Sequence, residues 1–117
     1  MAFKTRNIFT GISFPAGGEE LFESIIENEN IKIERIVSQG QISPDGFWYN
    51  QPLDEWVILL NGNAVIVFED EVENHLNVGD YLFIPAHTLH RVTFTSISPP
   101  CIWLAVHGNL SDKMKKY

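Results

Sequence analysis

Two β-branched apolar runs separated by one Asn-Gly dipeptide, EWVILLNGNAVIVFED, fill residues 55–70 and constrain the fold more than any other stretch. Asn61-Gly62 supplies the positive backbone φ that a two-residue turn requires, so strands over about 55–60 and 63–69 are expected, joined as a tight hairpin. The acidic patch Glu69, Asp70, Glu71 and Glu73 follows and reads as a solvated turn. Downstream, ENHLNVGDYLFIPAHTLHRVTFTS predicts a short strand, a Gly79-Asp80 turn, the strand YLFI, a break at Pro85 and a strand from about His90 to Thr95. Pro99-Pro100 ends that segment, and CIWLAVH reads as a last apolar strand. Upstream, LFESII and IKIERIVS flank the polar turn ENEN as another hairpin, although the acids ahead of an apolar stripe in GGEELFESIIEN also suit a short helix. Short strands at close spacing, broken by Gly, Pro and Asn-Gly, point to an all-β sandwich or barrel; nothing supports a parallel sheet with crossover helices.

The bulk properties fit that reading. A chain of 117 residues suits one domain over residues 1–117, and 44% hydrophobic with 20% charged residues is the balance of a folded protein. The net charge of −7 argues against a nucleic-acid backbone or an anionic membrane surface as partner. The basic cluster Lys113, Lys115 and Lys116 reads as a solvated tail, and the first seven or so residues are expected to fray. The single cysteine, Cys101, excludes an internal disulfide framework. No apolar core of signal-peptide length opens the chain and no run of about 18 apolar residues occurs, which points to the cytoplasm.

Strand parity decides which side chains share a face. Glu55, Val57 and Leu59 fall on one side of their strand, with Trp56, Ile58 and Leu60 on the other. His90, Val92 and Phe94 fall together, opposite Arg91 and Thr93. Glu55 and His90 therefore each head an apolar face, where a carboxylate or imidazole must be paired, hydrogen-bonded or metal-bound. Asp54 has the opposite parity from Glu55 and should face solvent or cap the loop, so the two adjacent acids are not a catalytic dyad. His107 shares parity with Trp103 and Ala105 and reads as a satisfied core or edge histidine; His75 reads as surface. Phe47, Trp48 and Tyr49 suit the wall of a small-molecule pocket, and equally suit core or dimer packing. The apolar face of Trp56, Ile58 and Leu60 is costly to expose, and strand-mediated homodimerisation would cover it.

Glu55 followed by six residues and Gly62, then Gly79, five residues, Pro85 and His90, resembles the cupin superfamily. Its two motifs are G(X)5HXH(X)3,4E(X)6G and G(X)5PXG(X)2H(X)3N, and the likeness spans roughly residues 38 to 107. The resemblance implies a single small antiparallel β-barrel, or double-sheet jelly roll, in which the two histidines and glutamate of the first motif and the histidine of the second bind a divalent metal. Carried over by position, only Glu55 and His90 survive as strong ligands. Tyr49 and Gln51 stand where the histidine pair is expected, with the Gln51 carbonyl oxygen as a substitute donor. His87 replaces the glycine of the second motif, and Phe94 its asparagine. His87 would complete a facial triad with Glu55 and His90 if Pro85-Ala86-His87 turns, since positions 87 and 90 face opposite ways on one extended strand.

Three functions follow. The first is a metal-dependent enzyme of oxygenase, isomerase or lyase type acting on a small polar molecule, with Zn, Fe, Ni or Mn held by Gln51, Glu55, His90 and His87. The second is a non-catalytic ligand-binding or sensor barrel, favoured by loss of both motif-one histidines. The third is metal-free acid–base catalysis in the manner of an isomerase or epimerase, with His90 as base and Tyr49 as acid.

Overall fold

The computed structural model describes residues 3–15 and 17–111; the lysines at positions 113, 115 and 116 lie outside the described residues. Residues 3–7 form no regular structure and are exposed, while Met1 and Ala2 also lie outside. The named elements are all strands: β1 (Leu21–Glu27), β2 (Ile31–Ser38), β3 (Asp54–Asn61), β4 (Ala64–Phe68), β5 (Glu73–Leu76), β6 (Tyr81–Ile84), β7 (His90–Thr95) and β8 (Cys101–Gly108). They pair antiparallel in two sheets, a larger one ordered β1-β2-β8-β3-β6 and a smaller one ordered β5-β4-β7. This is the double-sheet jelly roll that the family resemblance implies, within the all-β sandwich or barrel expected from the spacing of turns. Among the described residues no helix is long and apolar enough to cross a membrane.

The segment that suited either strand or helix is strand β1. Pairing with β2 sets Phe22 beside Ile36 and Glu23 beside Arg35, contacts that an isolated helical turn would forfeit. The Arg35 guanidinium grips both Glu23 carboxylate oxygens, at 2.9 and 3.0 Å. It also donates to the carbonyls of Ile8, Thr10 and Gly11 at 3.0, 2.8 and 3.2 Å. One side chain thereby straps the N-terminal segment across the outer face of β2, and the bidentate, charge-assisted geometry satisfies its buried charge.

Two expectations need correction. The extents of β3 and β4 match the sequence reading, yet Asn61-Gly62 does not close a hairpin, because β3 pairs with β6 and β8 while β4 pairs with β5 and β7. The dipeptide instead carries the chain from one sheet to the other. Gly62 has φ 82°, and a Cβ there would stand 2.7 Å from the Pro100 carbonyl oxygen and 2.7 Å from Ser96 Oγ. The glycine is thus required by a close backbone approach as well as by the turn. The second correction is Phe94, which does not share the inward face of His90 and Val92. A register shift pairs Val65 with Phe94 but Ile66 with Val92, so parity inverts past the bulge; Phe94 is exposed and Thr95 is buried.

The core lies between the sheets. Ile36, Leu59 and Trp103 of the large sheet meet Ile66 and Val92 of the small one. Each such side chain contributes about 1.5 to 3 kcal/mol on burial, and the Trp103 indole N–H is satisfied by Ser38 Oγ at 3.1 Å. On the opposite face of the large sheet, Trp56, Ile58 and Leu60 remain half-buried and Tyr81 is exposed.

Candidate functional site

Toward one end of the sandwich the apolar core gives way to a small open cavity of about 50 Å3. Its polar wall follows from strand register. Glu55 on β3 lies directly beside His107 on β8, and Glu34 projects from the next strand, β2, onto the same face. From the other side come His90, at the start of β7, and Tyr49, which forms an isolated bridge with His90. The Tyr49 ring stacks on the imidazole with centroids 5.3 Å apart and planes 22° from parallel. Gln51, two residues further on, and Glu20 complete the polar lining.

The inward placement of Glu55 and His90 read from parity holds: they are 7% and 5% exposed. His90 Nδ1 lies 2.8 Å from the Thr88 carbonyl oxygen, which can only accept, so Nδ1 carries the proton of the neutral ring. Nε2 therefore offers a lone pair toward the cavity. Burial lowers the His90 pKa, against a smaller opposing effect of the Thr88 bond, which favours that neutral ring.

Glu55 has the opposite problem. Its Oε1 is 3.9 Å from His90 Nε2 and its Oε2 is 4.0 Å from His107 Nε2, both beyond hydrogen-bond reach. Burial pushes its pKa up to about 7, with Glu34 and Glu20 adding to the rise and His107 opposing it. A third acceptor is Gln51 Oε1, buried and without a hydrogen-bond partner. Ionised Glu55, Gln51 Oε1 and His90 Nε2 thus stand in one cavity lining as acceptors without a hydrogen-bond partner.

Glu34 and His107, in contrast, satisfy each other. Nε2 of His107 meets Glu34 Oε1 at 2.9 Å, and Lys32 Nζ lies 3.4 Å from the other oxygen. Burial would raise the Glu34 pKa, but the hydrogen bond and charge of His107, with Lys32, hold it below the ordinary range. The Glu34 hydrogen bond in turn raises His107, against the effect of burial. At the mouth, Glu20 accepts from Ser38 Oγ, and burial raises its pKa more than that bond lowers it. Burial and the surrounding carboxylates raise the Tyr49 phenol to about 12.

The structure does not bring His87 to the cavity. Pro85-Ala86-His87 turns as the facial-triad reading required, with His87 at φ 61°, but the turn delivers the imidazole to the exposed rim. There Nδ1 meets Asn50 Oδ1 at 3.1 Å, and the backbone N–H donates to the Gln51 carbonyl at 2.8 Å. The positive φ also explains why a glycine suits this position. Asp54 faces away from the cavity and caps, as its parity implied. It is buried, and it accepts from the backbone N–H groups of Ala86, Leu110 and Ser111 at 2.8, 2.9 and 3.0 Å and from Ser111 Oγ at 2.6 Å.

Sequence reasoning missed Glu34 and Glu20 and assigned His107 only a structural part. For Glu34 the signal was present: an acid in the apolar strand IKIERIV, on the face of Ile36, raises the same question as Glu55. Glu20 precedes β1 and carried none.

Among the described residues no group of three or more His, Cys, Asp and Glu side chains could hold a metal ion. Glu55 and His90 therefore need an oxygen from outside those residue types. Gln51 Oε1, buried and unpartnered in the same lining, is such an oxygen, and with the imidazole nitrogen and the carboxylate it would make a donor set of the type that divalent ions accept.

A cupin-domain family model matches residues 35–107. No curated protein matches the chain. Among solved structures, a Ralstonia eutropha JMP134 protein named a "putative mannose-6-phosphate isomerase" is 43% identical, with 91% of this chain and 98% of that one covered and a TM-score of 0.84. An RmlC-like cupin protein from Desulfovibrio desulfuricans is 19% identical over 91% of this chain and 97% of that one, at TM-score 0.69. A cupin superfamily protein from Desulfitobacterium hafniense DCB-2 is 16% identical over 93% and 94%, at TM-score 0.73. Those two likenesses rest on the fold, and the motif residues Glu55, Gly62, Gly79, Pro85 and His90 stand within the matched segment. The chain belongs to the cupin superfamily.

Proposed function

We propose that the chain is a small-molecule cupin whose cavity holds a divalent metal on Gln51, Glu55 and His90 and acts on a small polar molecule beside it. The observation that carries this reading is the set of unsatisfied acceptors. A buried carboxylate beyond hydrogen-bond reach of its neighbours, a buried amide oxygen with no partner and an imidazole lone pair all face one cavity. Such a set is unfavourable when empty and is satisfied by a cation. A bound divalent ion supplies Lewis-acid polarisation of an oxygen of the substrate or of water. Around it, Tyr49 and Trp103 wall the cavity, and the Glu34–His107 pair presents a charged rim to whatever enters.

The name of the 43% identical relative points to an isomerase acting on a sugar phosphate. The wall limits the substrate on charge, since it includes three glutamates, Glu20, Glu34 and Glu55, and neither Lys nor Arg. The nearby Lys32 is committed to Glu34. A phosphate group would find no Lys or Arg in the lining, and the raised His107 is already closed on Glu34, which favours an uncharged hydroxyl- or carbonyl-bearing molecule. A metal-free binding barrel is the second reading, favoured by Tyr49 and Gln51 standing in place of the two histidines. We read the chain as a homodimer whose second copy covers Trp56, Ile58 and Leu60, located in the cytoplasm as its free, buried Cys101 suits.

Elemental analysis of protein purified without an affinity tag tests the reading, with wild type beside Glu55→Ala and His90→Ala. About one metal per chain in wild type and a loss in both variants is expected. Substoichiometric metal under metal-replete conditions would leave the binding barrel as the better reading, and stoichiometric metal untouched by either substitution would overturn the ligand assignment.

A further inference from the structure

We infer that a groove beside the central cavity binds an organic ammonium, a cation that carries an apolar or aromatic group. One wall is residues 18–22, which lead into and open β1, an edge strand of the large sheet. The other is residues 41–49, which run beside β7 of the small sheet. There the Ser43 N–H donates to the Val92 carbonyl at 2.8 Å and the Tyr49 N–H to that of His90 at 2.7 Å. The space between the walls is about 320 Å3, against about 50 Å3 for the central cavity. Gln51, Glu55 and His90 are not in this lining, so the groove stands apart from the metal reading.

Two kinds of surface meet there. Phe22, Ile42 and Phe47 line the groove at 49%, 51% and 44% exposure. Tyr49 lies beside them, its ring edge-to-face with that of Phe47 at 4.9 Å. Exposed apolar surface gathered around one hollow is costly in water and is the kind that a ligand covers. The polar side chains narrow the ligand further. Gln41 Nε2 donates to the Gly17 carbonyl at 2.8 Å, and Ser43 Oγ accepts the Val92 N–H at 3.0 Å, so both are occupied. The charged side chains of the lining are Glu19 and Glu20, with no Lys, Arg or His among them. Glu20 accepts from Ser38 Oγ, and burial raises its pKa without a cationic neighbour to lower it. Aromatic faces and carboxylates together attract an ammonium, whereas an anionic ligand would be repelled.

The test titrates benzyltrimethylammonium, neutral benzyl alcohol and anionic phenylacetate into the full chain, followed by calorimetry and by amide NMR shifts. The ammonium should bind about tenfold or more tightly than the alcohol, and phenylacetate should not bind. Shifts should centre on residues 18–22 and 41–49. Glu20→Gln, which keeps an acceptor for Ser38, should weaken the ammonium by about tenfold and leave the alcohol unchanged. Phe47→Leu should weaken the ammonium more than the alcohol, because an aromatic face is lost. An ammonium bound no more tightly than the alcohol overturns the inference, as does a folded Glu20→Gln that binds it unchanged. Shifts centred on Glu55 and His107 would put the cation in the central cavity and overturn it too. So would no binding at all, the result expected if a second copy of the chain covers the groove. Should Glu20→Gln fail to fold by its melting curve, Phe47→Leu decides: equal losses for ammonium and alcohol overturn the inference.

Discussion

Glu55 Oε1 stops 3.9 Å from His90 Nε2, so two buried titratable groups face each other across the cavity without a hydrogen bond. The carboxylate is therefore a liability to the empty fold. Its pKa is raised from 4.5 to about 7, so between those values the native state keeps a proton that the unfolded chain has released, and stability falls as pH rises through that window. Glu55→Gln removes the effect. In chelator-treated protein it should stabilise by about 2 kcal/mol at pH 8 and be close to neutral at pH 4.5. Urea unfolding at the two pH values measures this, and a Glu55→Gln variant less stable than wild type at pH 8 would contradict it.

The Glu34–His107 pair should behave in the opposite way. The raised His107 contributes stability that is full below 6.5 and lost as pH climbs through its folded pKa. The lowered Glu34 contributes stability that is full above 4.5 and lost as pH drops through its own. Both contributions are present between 4.5 and 6.5. Glu34→Gln should destabilise by about 2 kcal/mol near pH 5.5, the scale of a hydrogen bond between charged groups, and by much less near pH 9. A pH-independent loss would show that Glu34 acts through packing alone.

Asp54 ties the loop after β6 to the chain after β8 through four accepted hydrogen bonds, and the Ser111 hydroxyl with those backbone donors holds its pKa at about 2. Its contribution is present above the ordinary value of 3.8 and is lost as pH falls toward 2. Asp54→Asn should lower the melting temperature at neutral pH, with the deficit narrowing over that acid window. Thermal unfolding followed from pH 7 down to pH 2 would reveal a constant deficit if the cap were irrelevant.

At His87 the backbone, rather than the imidazole, sets the requirement. Its φ of 61° favours glycine, so His87→Gly should be more stable than His87→Ala by about 1 kcal/mol. Both variants should keep the metal content of wild type, because the imidazole is on the rim. Metal lost from both variants would restore His87 as a ligand.

Strand positions were legible because their ends are written in residues with few conformational options. Pro85, Gly79-Asp80 and Asn61-Gly62 all mark true boundaries, and strand parity placed Glu55 and His90 inward. Pairing was not legible, since Asn61-Gly62 satisfies the local φ requirement of a hairpin equally when the chain crosses between sheets. The bulge that turns Phe94 outward leaves no local signature either, because Val92, Thr93 and Phe94 alternate acceptably in either register. The site was half readable for a related reason. Glu55 and His90 announce themselves as polar residues heading apolar faces. Glu34 meets His107 only because β2 and β8, 73 positions apart at those two residues, lie side by side. That adjacency is a property of topology, not of either segment.

The division of the cavity between two sheets has a mechanical consequence. Glu34, His107 and Glu55 sit on neighbouring strands of the large sheet, and backbone ladders fix their spacing. His90 and Tyr49 belong to the opposing side and are joined to that wall through side-chain packing. An occupant held by Glu55 and His90 together is therefore a cross-brace between the two halves of the sandwich. Its binding energy resists their separation, so filling the cavity should slow amide exchange in β7 more than in β2.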